Sequence, residues 1–198
     1  MLNIGYLTSN KKKDEAYTPY YASNPIIKYI NPNLVVWCPF DQEWSSYVRL
    51  LRENGNRVIA SHLDNGLNFF NYEPEYYDII ITNPPFSCKD EVIARLYELN
   101  KPFAILLPLN SLQGVNRYEN FKNGIQLLAF DQRIDFHDPL HMDRPNKGTP
   151  FASAYFCRDV LPNDLILEHL EKYDKSLYIE MVKLVQYKEM CKIINTGV

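Results

Sequence analysis

Asn83, Pro84, Pro85 and Phe86 form the stretch of this chain whose residue types and order most directly suggest chemistry. Asn83 brings a side-chain carbonyl, an acceptor of hydrogen bonds. Pro84 brings a backbone carbonyl, and two fixed proline φ angles keep it from turning away. Phe86 brings a flat apolar face. Two acceptors beside a ring suit a planar amine, because each N–H meets an acceptor while the attached π-system lies on the phenyl. Holding both protons draws the nitrogen lone pair out of conjugation and towards an electrophile. The expected catalytic group is therefore Asn83, Pro84 and Phe86.

The elements that must position this tetrapeptide follow from the apolar runs around it. The stretch 77–82 reads as a strand that ends where the prolines begin, since proline cannot donate to a ladder. Residues 33–38, 57–62 and 102–109 read as further strands with little alternation. Between them, 43–55 and 88–100 carry apolar residues at helical spacing, with Gly55 as a C-cap. Apolar strands separated by helices imply parallel strands covered on both faces. The pattern then changes. "IQLLAFDQRIDFHD" and "FASAYFCRD" read as two strands joined by the polar loop "PLHMDRPNKGTP". The expected fold is a Rossmann-like, doubly wound, mostly parallel α/β sheet with an antiparallel edge strand and helices on both faces. One domain is expected over 1–198, with a catalytic core at about 17–158 and C-terminal helices at about 160–198. An N-terminal helix is expected over 23–31, capped by Ser23 or Asn24, with Pro25 at its first position. In such sheets ligands bind beyond the carboxyl ends of the strands, which is where Asn83 falls.

"NPPF" after a strand, before a helix and downstream of two βα units resembles motif IV of the class I S-adenosylmethionine-dependent methyltransferases that act on exocyclic or amide nitrogens. "YTPYYASNPIIKYI" is similar to the N-terminal motif of one permutation class of adenine-N6 enzymes, and the phage and mobile-element members look most alike. That resemblance implies S-adenosyl-L-methionine as cofactor. It also implies a cofactor site built from Tyr17, Thr18, Pro19, Cys38, Pro39, Phe40, Asp41, Ser61, His62, Asp64, Asn68, Phe69 and Asn83. Within it Pro39 matches the family loop, Cys38 stands where an acid is usual, and the glycines are absent. Ser61 or His62 stands at the usual place of the ribose acid, with Asp64 the nearest carboxylate, and Asn68 replaces the acid of an acid-plus-aromatic stretch. Asp41 would serve the methionine amine or begin a helix. Pro85, Phe86 and Ser87 would meet the substrate, with Arg144 and Lys147 on its phosphates. The implied reaction is methyl transfer to adenine N6 in DNA or RNA. The alternatives are another planar amine, such as guanine N2 or a protein glutamine amide, or a binding module that has lost its cofactor.

Composition narrows the classes. At 198 residues and 46% hydrophobic, the chain is long enough for a core without staples. Its net charge of −3 argues against a general nucleic-acid coating protein but allows a local basic patch. Cys38, Cys88, Cys157 and Cys191 lie far apart, which suits reduced thiols rather than a zinc site or disulfide framework. His137 and His141 are four apart, but Pro139 between them argues against the helix a metal pair would need. No metal and no membrane segment are expected, and a cytoplasmic location is.

Overall fold

The computed structural model describes residues 16–138, 141–145 and 149–172, with 138 and 141–145 described through their backbone alone. Helix α1 (Tyr20–Ile27) precedes β1 (Val35–Pro39), α2 (Ser46–Glu53), β2 (Arg57–Ser61) and β3 (Ile79–Thr82). There follow α3 (Lys89–Leu99), β4 (Phe103–Pro108), α4 (Val115–Phe121) and β5 (Gln126–Phe130). Last come the short pair β6 (His137–Asp138) and β7 (His141–Pro145), then β8 (Ser153–Arg158) and β9 (Leu165–Glu168).

Seven strands make one sheet in the order β2-β1-β3-β4-β8-β5-β9. β2, β1, β3 and β4 are parallel, β8 runs antiparallel between β4 and β5, and β9 is parallel to β5. The fold class is as the sequence implies, a doubly wound α/β sheet. Strand alternation sends successive residues to opposite faces. Val36, Ile79, Ile81, Ala104 and Tyr155 pack with α1 and α2, while Trp37, Ile80, Ile105 and Phe156 pack with α3. The three isoleucines of β3 are 3% exposed or less, so each contributes about 1.5–3 kcal/mol by burial and holds the strand end firmly.

Three expectations are corrected. The antiparallel strand is interior, because β5 and β9 extend the sheet beyond β8. The segment 160–172 is not helical: Gln126 accepts from Val160 N and Leu161 N and donates to Leu161 O, turning the chain so that "LILE" completes the open ladder of β5. Residues 173–198, the rest of that expected helical region, lie outside the described residues. The first helix starts at Tyr20, with Pro25 inside it. Burial of Tyr20 and Tyr21 draws the earlier residues in, and the Pro19 carbonyl accepts from Ala22 N and Ser23 N. Gly55, by contrast, follows α2 in the left-handed conformation (φ 102°) that a C-terminal glycine is suited to.

Candidate active site

The chain winds from β1 to β2 in one direction and through β3 to β4 in the other, so the order reverses between β1 and β3. Crevices form outside the carboxyl ends of strands at such a reversal. Phe40 and Asp41 follow β1, and Asn83 follows β3. A small cavity of about 30 Å³ lies between them, lined by Tyr17, Thr18, Phe40, Asp41, Trp44 and Asn83 among others.

Asn83 is held in one orientation. Its Nδ2 donates to the Ala16 carbonyl at 2.8 Å, and its Oδ1 is buried without a hydrogen-bond partner. An orphaned buried acceptor costs about 1–3 kcal/mol, and such groups persist where function uses them. Pro84 is buried; the turn that follows begins at Pro85, where Cys88 N donates to Pro85 O, so the Pro84 carbonyl stands outside that ladder. The Phe86 ring meets Phe136 at 6.0 Å and Phe151 at 5.6 Å, both edge-on. Ser87 is exposed at the start of the same turn.

The strap that carries Ala16 is fixed in turn. Tyr17 exchanges backbone hydrogen bonds with His137 (3.0 and 2.9 Å), its ring meets Trp44 edge-on at 4.7 Å, and the Thr18 carbonyl accepts from Ser46 Oγ. His137 is only 1% exposed, and no cluster of metal-ligating residues occurs among the described residues.

The loop after β1 turns without glycine. Phe40 adopts φ 65°, a left-handed conformation costing about 1–2 kcal/mol in a residue with a Cβ. Its ring packs at 5.0 Å from Phe69, which is 2% exposed and also meets Trp37. Cys38 does not stand in for the missing acid. Its side chain lies fully in the core, and burial pushes the thiol well above its usual range. The carboxyl that reaches the cavity is Asp41, 7% exposed and pushed up to about 7, chiefly by burial. Hydrogen-bond counting agrees. Thr82 Oγ1 lies within reach of two acceptors, the Pro39 carbonyl and Asp41 Oδ2 (2.7 Å), yet a hydroxyl has one proton. A protonated Asp41 can donate to Thr82 Oγ1, which then donates to Pro39, whereas an ionised Asp41 accepts from Thr82, a bond that works against the rise.

On the β2 side, Ser61 Oγ accepts from the buried Trp37 Nε1 at 2.9 Å. His62 Nδ1 accepts from Asp64 N at 3.1 Å. Asn68 Oδ1 accepts from Phe70 N, which makes Asn68 a turn former that presents Phe69 inward. Arg144 lies in β7, but its side chain and all of Lys147 are outside the described residues. Sequence reasoning missed Gln42, Thr82, Phe136 and Phe151. Gln42 Nε2 spans to His62 Nδ1 and Asp64 Oδ2, both at 3.4 Å, and its Oε1 accepts from Trp44 Nε1 at 2.9 Å. A polar residue directly after the acid of the β1 loop was the available signal for Gln42. Phe136 and Phe151 gave none, since only the sheet order brings them to Phe86.

No family model and no curated protein matches the chain. Solved structures do. A type I restriction-modification methyltransferase subunit from Streptococcus thermophilus is similar over 91% of this chain and 55% of its own, at 12% identity and a TM-score of 0.45. The chain thus spans about half the length of that subunit. Precorrin-6y C5,15-methyltransferase from Geobacter metallireducens is similar over 74% and 94%, at 12% identity and a TM-score of 0.41. A Listeria monocytogenes protein assigned to the class I S-adenosylmethionine-dependent methyltransferases is similar over 84% and 70%, with the same identity and score. The first two are named as methyltransferases, and the third is assigned to that class. At TM-scores below 0.5 these likenesses carry no argument about activity; the residues must.

Proposed function

We propose that the chain is an S-adenosylmethionine-dependent N-methyltransferase whose acceptor is a planar exocyclic amine, adenine N6 of DNA or RNA. The observation that carries this reading is Asn83: one end of its amide is tied to Ala16, and the other is a buried acceptor left open at the cavity wall. Most buried asparagine oxygens are paired, and this one sits beside the Pro84 carbonyl at the strand end where an acceptor amine would enter.

The donor set fits the cofactor. Asp41 is a buried carboxyl whose described partners are hydroxyls rather than cations, which suits an ammonium group. Phe40, half-buried over the buried Phe69, offers a ring for an adenine, and Asp64 follows the end of β2, where a carboxylate for a ribose would stand. The cavity's 30 Å³ is far below the roughly 300–1,000 Å³ of ligand pockets, and beyond its lining the Gln42 side chain bridges the loops after β1 and β2. A cofactor lying along both loops would part Gln42 from His62 and Asp64.

Bound there, the cofactor supplies an electrophilic methyl group. The chain's own part is to aim the amine. Asn83 Oδ1 and the Pro84 carbonyl accept the two N–H groups, hold the nitrogen in line and disperse the positive charge that grows on it. A paired base is out of reach of such a site, so a duplex acceptor must be flipped out at a few kcal/mol.

Calorimetric titration of the protein with S-adenosylhomocysteine tests the reading. Micromolar binding supports it; absence of heat at millimolar ligand, from folded protein, refutes it. That second outcome favours a fold kept for binding alone, a reading to which the closed cavity and the core-facing Cys38 lend weight.

A further inference from the structure

A second concavity opens beside Phe151, one of the rings that meet Phe86. It measures about 420 Å³ and is lined by Leu109, Asn110, Leu112, Gln113, Phe151 and Ala152. Phe151 belongs to both places: it meets Phe86 at 5.6 Å and walls the groove. The turn Leu109–Leu112 follows β4, the neighbour of β3, so groove and Asn83 both lie beyond the carboxyl ends of adjacent strands.

The groove is rigidly built. Arg117, 9% exposed, donates from Nε to Ser111 O at 2.8 Å and from Nη2 to Gln113 O, and its Nη1 pairs with Asp90 at the start of α3. Gly114 completes the clasp, because a Cβ there would lie 2.4 Å from Arg117 Nη2. The turn so fixed holds Leu109 and Leu112 at 38% and 40% exposure. Beside them stand the exposed carboxamides of Asn110 and Gln113, and no lining residue is charged.

We propose that this groove holds the nucleobase next to the methyl acceptor in an unpaired strand, stacked against Phe151 and bonded at its edge by Asn110 and Gln113. The proposal rests on the planar-amine reading of Asn83. An uncharged lining suits a base and not a phosphate, and the volume lies within the range of small-ligand sites. Carboxamides pair two-fold with base edges, as asparagine and glutamine do with adenine N6 and N7. An apolar peptide side chain would use the leucines but leave both carboxamides idle, which is why the nucleobase is favoured.

Titration of the full chain with adenosine, and with adenine-containing deoxy and ribo dinucleotides, tests it. Stacking and edge bonds together should make a dinucleotide bind at least about tenfold tighter than adenosine. The double variant N110A/Q113A, both at exposed positions away from the Asn83 cavity, should lose the edge-bond part of that gain, about fivefold, and keep the adenosine affinity. Equal affinities, a gain undiminished in the variant, or no binding of any probe overturns the proposal. Tighter binding of a glutamine tripeptide, lost in the variant, also overturns it and makes the acceptor a peptide. A dinucleotide gain without S-adenosylhomocysteine binding supports the groove while refuting the enzyme.

Discussion

Replacing Asp41 by asparagine isolates the proton assigned to the cavity. The amide keeps the shape of the carboxyl and supplies an N–H to Thr82 where the protonated acid supplies an O–H. Burial lifts Asp41 from 3.8 to about 7. The folded protein therefore keeps a proton that the unfolded chain releases, and wild-type stability falls as pH rises from about 4 to about 7, then levels off. At 1.36 kcal/mol per pH unit, the climb amounts to about 4 kcal/mol. Urea denaturation of wild type and Asp41→Asn, followed by tryptophan fluorescence, reads the difference. The two proteins should be close at pH 4, and the variant more stable by about 4 kcal/mol at pH 8. Because other titrating groups are common to both, only the gap matters. A gap that does not change between pH 4 and pH 8 would refute the buried, protonated carboxyl.

Two further substitutions probe the same cleft. Gln42→Ala removes two long hydrogen bonds that bridge the loops, so S-adenosylhomocysteine should bind about fivefold tighter, equivalent to about 1 kcal/mol; unchanged or weaker binding in calorimetry contradicts the closing role of Gln42. Ser61→Ala leaves the fully buried Trp37 Nε1 without its acceptor and should cost about 1–3 kcal/mol in thermal or urea unfolding; a loss below 0.5 kcal/mol, taken as the rough scale of surface substitutions, shows that the indole finds another partner.

Much of the fold was legible because β1, β3 and β4 are continuous apolar runs and their helices carry clear periodicity. The motif after β3 was legible because two prolines and an aromatic ring are an unusual way to end a strand. What escaped notice depends on contacts between distant segments. "LILE" has the composition of a helix or a strand, and the open edge of β5 decides for strand. Pro25 looked like a helix start, yet the buried Tyr20 and Tyr21 begin the helix a turn earlier. The absent glycines gave no hint of how the loop after β1 turns: Phe40 takes the left-handed conformation itself, Cys38 faces the core, and Asp41 sets its carboxyl at the cavity. The Ala16 carbonyl that orients Asn83 has no sequence signature, since a backbone group is the same at every position.

Transfer of a labelled methyl group from S-adenosylmethionine to single-stranded oligonucleotides, by wild type and by Asn83→Ala, tests the central claim most directly. Adenine N6 should become labelled by the wild type, and the variant should be slower by about 10²–10³-fold, the loss typical of removing one aligned polar group at a reacting centre. Its affinity for S-adenosylhomocysteine should stay within twofold. Label at equal rates in both proteins, or loss of cofactor binding equal to the loss of rate, would contradict the role of Asn83 as the acceptor that aims the amine.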